Sequence, residues 1–73
     1  MPLTITINGQ PRKFVKLDPG CAVAELIAEM DLKGDRVAVE LNHQIAPRTQ
    51  WEQLRLQSGD RLEIVHFVGG GCR

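Results

Sequence analysis

The chain has 73 residues, of which 42% are hydrophobic and 25% are charged, proportions that are typical of a globular domain and unlike those of a disordered segment. A chain of this length buries only about 60% of its unfolded surface, which leaves one small core and no room for a deep catalytic cleft. Nine basic residues balance nine acidic ones, so the composition argues against charge-driven binding to nucleic acid or to a membrane surface.

The N-terminal residues predict a β-hairpin. Leu3–Ile7 alternates apolar with polar side chains, which is the period-2 pattern of a strand with one buried face. Asn8-Gly9 follows, and these two residues readily adopt the positive φ angles of a tight hairpin turn. Residues 12–17 then supply the returning strand, with Pro11 near its start, where a missing N–H group is tolerated.

The next segment changes to a helical period. Four apolar residues fall at positions i, i+3, i+4 and i+7, which places them on one face of a helix of about two to three turns. They are Val23, Leu26, Ile27 and Met30. Ala22 is a poor N-cap, and Lys33-Gly34 is a conventional end for such a helix.

A third strand follows the helix. Residues 37–41 alternate in the same way as the first strand and end at a polar turn, residues 42–44. Ile45-Ala46 allows only a brief fourth strand before Pro47.

The last third of the chain contains the only tryptophan. Trp51 and Leu54 are one helical turn apart, which indicates a short helical or 3₁₀ turn that packs the indole ring against the core. Residues 58–60 form another turn, and residues 61–68 form the last strand.

In this order the elements predict an α+β fold of the ubiquitin-like β-grasp type, with a mixed four- to five-stranded sheet packed on one helix. The first and last strands are apolar enough to be central, and we expect them to be parallel neighbours because a crossover helix lies between them. Residues 1–68 form the domain. Residues 69–73 form a tail that we expect to be flexible, because consecutive glycines lose much backbone entropy on ordering.

Four segments of the chain have sequences that can be compared with those of known families. They are Ile5-Thr-Ile-Asn-Gly9, Gly20-Cys-Ala-Val-Ala-Glu-Leu-Ile27, Val39-Glu-Leu-Asn-His-Gln-Ile-Ala-Pro-Arg-Thr-Gln-Trp51 and Gly59-Asp-Arg-Leu-Glu-Ile64. The third has the form x-Asn-x-x-Ile-x-Pro-Arg-x-x-Trp and is the most specific of the four. Through these segments the chain resembles, over essentially its whole length, the ThiS family of small ubiquitin-like sulfur carriers of thiamine biosynthesis.

The resemblance implies a protein co-substrate and not an enzyme. In the family, an E1-like adenylating enzyme of the ThiF type uses ATP and magnesium to activate the C-terminal glycine carboxylate, and no cofactor is held permanently. Sulfur delivery then gives a thiocarboxylate that supplies thiazole synthase, the ThiG-type enzyme. Activation as a mixed anhydride with AMP fits the chemistry, because a free carboxylate is a poor acyl electrophile.

Carried over to this chain, the terminal glycine pair of the family falls on Gly70 and Gly71, and Gly71 becomes the site of adenylation and thiocarboxylate formation. Cys72 and Arg73 follow Gly71, so we expect a processing protease to remove them; the alternatives are a storage form or a non-functional copy. Cys72 itself is disfavoured as the sulfur-bearing group, since only Arg73 is at hand to lower its pKa.

Other residues are predicted to bind partners. Alternation places Val65 and Phe67 on the sheet face opposite the core, where with Val68 they would form an apolar docking surface beside the tail. Arg48 is a candidate for pairing with acids of a partner, although an exposed structural salt bridge is an equally good interpretation.

The remaining polar residues point to no metal site or disulfide. Cys21 is interpreted as a small, partly buried thiol, His66 as a solvent-facing strand residue and His43 as a solvated turn residue. No stretch resembles a secretory signal or a membrane span, so we expect a cytoplasmic protein, monomeric when free.

Two alternatives to the thiamine carrier stay open. One is a carrier of the same mechanism that serves molybdopterin or another sulfur metabolite. The other is a non-catalytic β-grasp interaction domain that binds through its sheet face and performs no acyl chemistry.

Overall fold

The structure, a computed structural model, describes residues 1–67. Its elements in chain order are β1 Leu3–Ile7, β2 Gln10–Phe14, α1 Val23–Glu29, a 3₁₀ turn Gly34–Arg36, β3 Val37–Leu41, β4 Gln44–Ala46, a second 3₁₀ turn Arg48–Gln50, and β5 Arg61–His66. The predicted order of elements is confirmed. Within residues 1–67, no helix is long and apolar enough to cross a membrane.

The five strands form one mixed sheet in the order β2-β1-β5-β3-β4. β1 and β5 are parallel neighbours, with Thr6 opposite Arg61 and Ile7 opposite Leu62, and the other pairs are antiparallel. The predicted central, parallel arrangement of the first and last strands is therefore confirmed. β5 is the last of the elements within residues 1–67, but it lies in the middle of the sheet.

The core lies between the sheet and α1. Inward-facing strand residues and one face of the helix fill it, and seven side chains are at most 2% exposed: Leu3, Ile5, Leu26, Leu56, Leu62, Val23 and Val39. Trp51 is buried as predicted, and its indole Nε1 donates a 2.8 Å hydrogen bond to the carbonyl of Ala46. Because this bond satisfies the ring N–H, the largest side chain can join the core without leaving a polar group unpaired.

The second strand differs from the prediction. β2 spans Gln10–Phe14, not residues 12–17. Asn8 and Gly9 take φ angles of 52° and 83°, and a two-residue turn of this kind lets pairing resume at once at Gln10. The strand ends early because the chain turns after Phe14, whose carbonyl accepts a hydrogen bond from the N–H of Leu17.

The helix also ends earlier than Lys33-Gly34. Its C-cap is Met30, and Asp31 has the left-handed φ of 59° that usually falls to glycine at this place. The N–H groups of Asp31 and Leu32 donate to the carbonyls of Ala28 and Ile27, the two bonds of a Schellman motif. These two hydrogen bonds thus allow Asp31 to end the helix. Gly34 is not needed for that purpose.

Gly34 permits a close approach between the two 3₁₀ turns. A Cβ atom at this position would lie 3.2 Å from Cζ3 of Trp51 and 3.3 Å from Nε of Arg48. The absence of a side chain therefore lets both of those residues pack over the turn that leads into β3.

The start of the helix is bonded to the segment that follows Trp51. The N–H groups of Val23 and Ala24 donate to the carbonyls of Leu54 and Trp51 at 2.9 and 3.0 Å. Free N–H groups at a helix N-terminus need acceptors, and here the backbone supplies them in place of a capping side chain. Ala22 is the poor cap expected, but its own N–H donates to the Glu25 carboxylate at 3.0 Å.

Asn8 extends the contact between β1 and β5 beyond the end of β1. Its side chain donates from Nδ2 to the carbonyl of Ile64 at 3.1 Å and accepts at Oδ1 from the N–H of Ile64 at 2.8 Å. A single amide therefore pairs with both backbone groups of one β5 residue, as another strand residue would. The turn residue and the central strand are held together by this contact.

Replacing Asn8 tests this contact. Asn8→Gly keeps the positive φ accessible but removes both hydrogen bonds, and we expect it to lower the free energy of unfolding by about 1–3 kcal/mol. Asn8→Ala adds backbone strain and should cost about 1 kcal/mol more. Urea denaturation of the three proteins measures both steps; wild-type stability in Asn8→Gly would contradict the assigned role.

Candidate docking face and reactive arm

The outward side of β5 carries exposed apolar residues. Leu62 and Ile64 point into the core, so alternation turns Val65 and Phe67 outward, and these side chains are 60% and 53% exposed. The predicted exposure of both residues is confirmed. Their role in binding a partner is a prediction that the fold alone does not test.

The neighbouring strands contribute further residues to the same side of the sheet. Ala38 lies opposite Val65, Glu40 lies opposite Glu63, and Ile45 lies opposite Glu40. Ile45 is 78% exposed. We call the surface formed by Ala38, Glu40, Ile45, Glu63, Val65 and Phe67 the docking face.

Sequence patterns did not predict four of the six residues of this surface. Glu40, Ile45 and Glu63 belong to three different strands, and their proximity depends on the register of two strand pairs. Alternation within each strand shows that a residue faces outward, but not which residue of another strand lies opposite. The only feature of the sequence that pointed to this part of the surface was Ile45, an apolar residue at an outward position of a brief strand.

The end of β5 is held on both sides. On one side Asn8 binds Ile64, and on the other the N–H of Phe67 donates to the carbonyl of Arg36 at 2.8 Å. These bonds fix the place where the chain leaves the sheet. The last strand was predicted to reach Val68; it ends at His66, and Val68 lies outside the described residues.

The predicted reactive residues also lie beyond the part that the structure describes. Gly70 and Gly71, with Cys72 and Arg73 after them, are in residues 68–73. Their assignment therefore stays a prediction based on the sequence.

Arg48 is not part of the docking face. It lies in the second 3₁₀ turn and lines an open groove of about 510 Å³ on the helix side of the domain, together with Ala24, Ile27 and Trp51. The structure thus separates Arg48 from Val65 and Phe67. Within residues 1–67 the ion pair found joins the N-terminal amino group to Asp18 at 3.2 Å, so the alternative role of Arg48 in a structural salt bridge is not seen there.

The histidines and Cys21 lie where expected. His43 is exposed in a positive-φ turn and His66 is exposed on β5. In the part of the chain that the structure describes, no group of three or more histidine, cysteine or acidic residues is placed to hold a metal ion. Cys21 is a free thiol, 9% exposed, and burial, with the nearby Glu25 carboxylate, raises its pKa above the ordinary 9.0.

Within residues 1–67, one α-helix packed over a mixed sheet, with β1 and β5 parallel and adjacent in that sheet, defines the ubiquitin-like β-grasp class of domain. The ThiS family model matches residues 5–71. The chain therefore belongs to the ThiS family.

Individual relatives agree with this family. The sulfur carrier protein ThiS of Bacillus subtilis (strain 168) is 37% identical over 67 residues, a match that covers 92% of this chain and 98% of that protein. The crystal structure of the thiamine biosynthesis protein (ThiS) from Geobacter metallireducens aligns with a TM-score of 0.78 at 30% identity, covering 94% of this chain and 100% of that one. The predicted β-grasp fold is thereby confirmed.

Some relatives are much longer than this chain. The thiazole synthase of Paramagnetospirillum magneticum is 38% identical over 69 residues, which is 94% of this chain but 20% of that protein. The thiazole synthase of Magnetococcus marinus shows the same coverage at 32% identity. The chain thus spans about a fifth of the length of these two proteins.

The raised pKa of Cys21 has two measurable effects. A folded-state pKa above the unfolded value means that the native state holds its proton more tightly, so this contribution to stability is complete below the unfolded pKa and is lost as the pH rises through the folded pKa. Urea unfolding at a series of alkaline pH values should therefore show a steeper loss of stability in wild type than in Cys21→Ala.

The thiol should also react slowly. In a Cys72→Ser background, where Cys21 is the only thiol, iodoacetamide should label the native protein at least roughly 10-fold more slowly than the urea-unfolded protein. Equal rates would show that Cys21 is accessible and would reopen a chemical role for it.

Proposed function

We propose that this protein is a sulfur carrier of thiamine biosynthesis, a co-substrate that bears sulfur on Gly71 and performs no catalysis itself. The observation that carries the proposal is the family match, which runs from residue 5 to residue 71 and so ends on the predicted reactive glycine. Near-complete mutual coverage with a protein named as a sulfur carrier supports the same function.

The chemistry requires an activated carboxylate. A partner adenylating enzyme joins the Gly71 carboxylate to AMP, using ATP and magnesium and releasing pyrophosphate. Hydrosulfide, HS⁻, then attacks the carbonyl carbon, so that a carbon–sulfur bond forms as the bond to AMP breaks, which releases AMP and leaves a thiocarboxylate. Glycine suits this position because the backbone alone has to enter a recessed active site.

The fold supports such an arm by fixing its origin. Phe67 is bonded to Arg36 at the end of β5, and Gly71 is four residues further along. An extended chain of this length reaches roughly 14 Å. A small body docked on the surface of an enzyme could therefore place Gly71 well inside it.

Thiazole synthase is the proposed acceptor of the sulfur. The thiazole synthases that contain a stretch similar to this chain support this partner. In such proteins covalent linkage would raise the effective concentration of a carrier near its acceptor, and a separate carrier would meet the same enzyme by diffusion.

We further propose that a protease removes Cys72 and Arg73 to expose the Gly71 carboxylate. The proposed compartment is the cytoplasm, where reducing conditions suit the free thiol of Cys21. The near-neutral charge balance supports protein partners in preference to nucleic acid or membranes.

Truncation variants test the proposed reaction. A protein ending at Gly71 should release pyrophosphate with the adenylating enzyme, ATP and magnesium, and should gain the mass of one sulfur in place of one oxygen once a sulfur donor is added. Full-length protein should be inert until it is trimmed, and a protein ending at Gly70 is the matched control for arm length. Pyrophosphate release from full-length protein that still ends at Arg73 would contradict the trimming step.

Substitution of Phe67 tests the docking face. Phe67→Asp should raise the Kd for the adenylating enzyme by more than roughly 10-fold, yet lower the free energy of unfolding by no more than about 2 kcal/mol, because about half of the side chain is exposed. Isothermal titration calorimetry and urea denaturation measure the two effects.

Two variants serve as controls for Phe67→Asp. Val15 is 74% exposed and follows β2 at the opposite edge of the sheet, so Val15→Asp should bind normally. Ile64 is buried, and Ile64→Asp should unfold the domain. Binding by Phe67→Asp at wild-type affinity would remove Phe67 from the interface.

A further inference from the structure

Two glutamates face each other in the middle of the docking face. In the antiparallel pair β3–β5, Glu40 lies directly opposite Glu63. The neighbours of each residue along its strand are buried or point into the core, so both carboxylates lie on the outward side and both are exposed.

This arrangement opposes the usual rule for cross-strand pairs. Like charges directly opposite each other destabilise a sheet, whereas opposite charges stabilise it. Arg61 is on the same side of β5, two residues before Glu63, but within residues 1–67 no cationic group lies within ion-pair distance of either carboxylate. Among residues 1–67, therefore, neither carboxylate forms an ion pair.

Apolar side chains flank the acidic pair. Ile45 continues the same row across the sheet from Glu40, and Val65 with Ala38 forms the next row toward the end of β5. Ile45 and Val65 are more than half exposed. A pair of carboxylates between exposed apolar residues is complementary to a surface that presents one cation between apolar side chains.

We propose that Glu40 and Glu63 together receive one arginine or lysine side chain of the adenylating enzyme, while Ile45 and Val65 pack against apolar residues beside that cation. The inference rests on the proposed function and names the part of the docking face that selects the partner. A guanidinium suits the position best, because its planar fork can donate to two carboxylates at once.

The long relatives give a reason to expect that the adenylating enzyme, and not thiazole synthase, binds the two glutamates. In the long thiazole synthases a carrier-like stretch belongs to the same chain as the synthase, so covalent linkage can supply proximity to that enzyme. Linkage of that kind gives no proximity to a separate adenylating enzyme, which has to recognise the surface of the domain.

Charge substitutions on the free and bound protein test the inference. Glu40→Gln and Glu63→Gln, made in the protein that ends at Gly71, should each raise the Kd for the adenylating enzyme by roughly 10-fold. The same changes relieve the repulsion in the free domain, so the Tm should rise by roughly 1–4 °C. Glu63→Lys should raise the Tm further, by pairing with Glu40, and should abolish binding.

A weaker affinity together with a higher Tm distinguishes a role of the two glutamates in binding from a role in stability. Glu29→Gln, on the exposed side of α1, is the matched control for affinity and should leave the Kd unchanged. Wild-type affinity in both glutamine variants, or a fall in Tm that accompanies the loss of binding, would overturn the inference. Loss of affinity for thiazole synthase alone would overturn the choice of partner.

The failure of this inference can be distinguished from failure of the proposed function. If wild-type protein ending at Gly71 releases pyrophosphate and the glutamine variants bind as wild type does, only the role of Glu40 and Glu63 is wrong. If the wild-type protein neither binds the adenylating enzyme nor releases pyrophosphate, both proposals are wrong.

Discussion

The parallel contact between β1 and β5 joins the two ends of the domain in the middle of its sheet, and the other elements depend on it for their positions. Only a short ladder of backbone bonds links the two strands, and the side chain of Asn8 extends it to Ile64. The β1–β2 hairpin adds one edge and the β3–β4 hairpin the other. α1 covers the resulting apolar face, which lets a domain this small close a single core.

Much of this architecture follows from the sequence because its signals are strong and local. Strict alternation in Leu3–Ile7, the Asn8-Gly9 turn and the helical spacing of the apolar residues of α1 each predict one structure. The boundaries were less predictable: Asp31 ends the helix in a conformation usual for glycine, and β2 stops at the turn after Phe14. Both depend on hydrogen bonds between specific backbone groups, which residue types do not specify.

The residues of the candidate site also differ in how far the sequence predicts them. Exposure of Val65 and Phe67 follows from alternation within one strand and is confirmed. Arg48, predicted separately as a residue that pairs with acids of a partner, lies on the helix side, and its position depends on the path of the chain after β4. The pairing of Glu40 with Glu63 requires the register between strands that are distant in sequence, and no periodicity contains that information.

The central position of β5 also controls when the domain can fold during synthesis. The two hairpins lie on opposite sides of β5 and do not pair with each other, so neither half of the sheet can join the other until the last strand has left the ribosome. Contacts between the first and last parts of a chain are also slow to form. The docking face, which spans β3, β4 and β5, is therefore complete only when translation has passed the strand that precedes the arm.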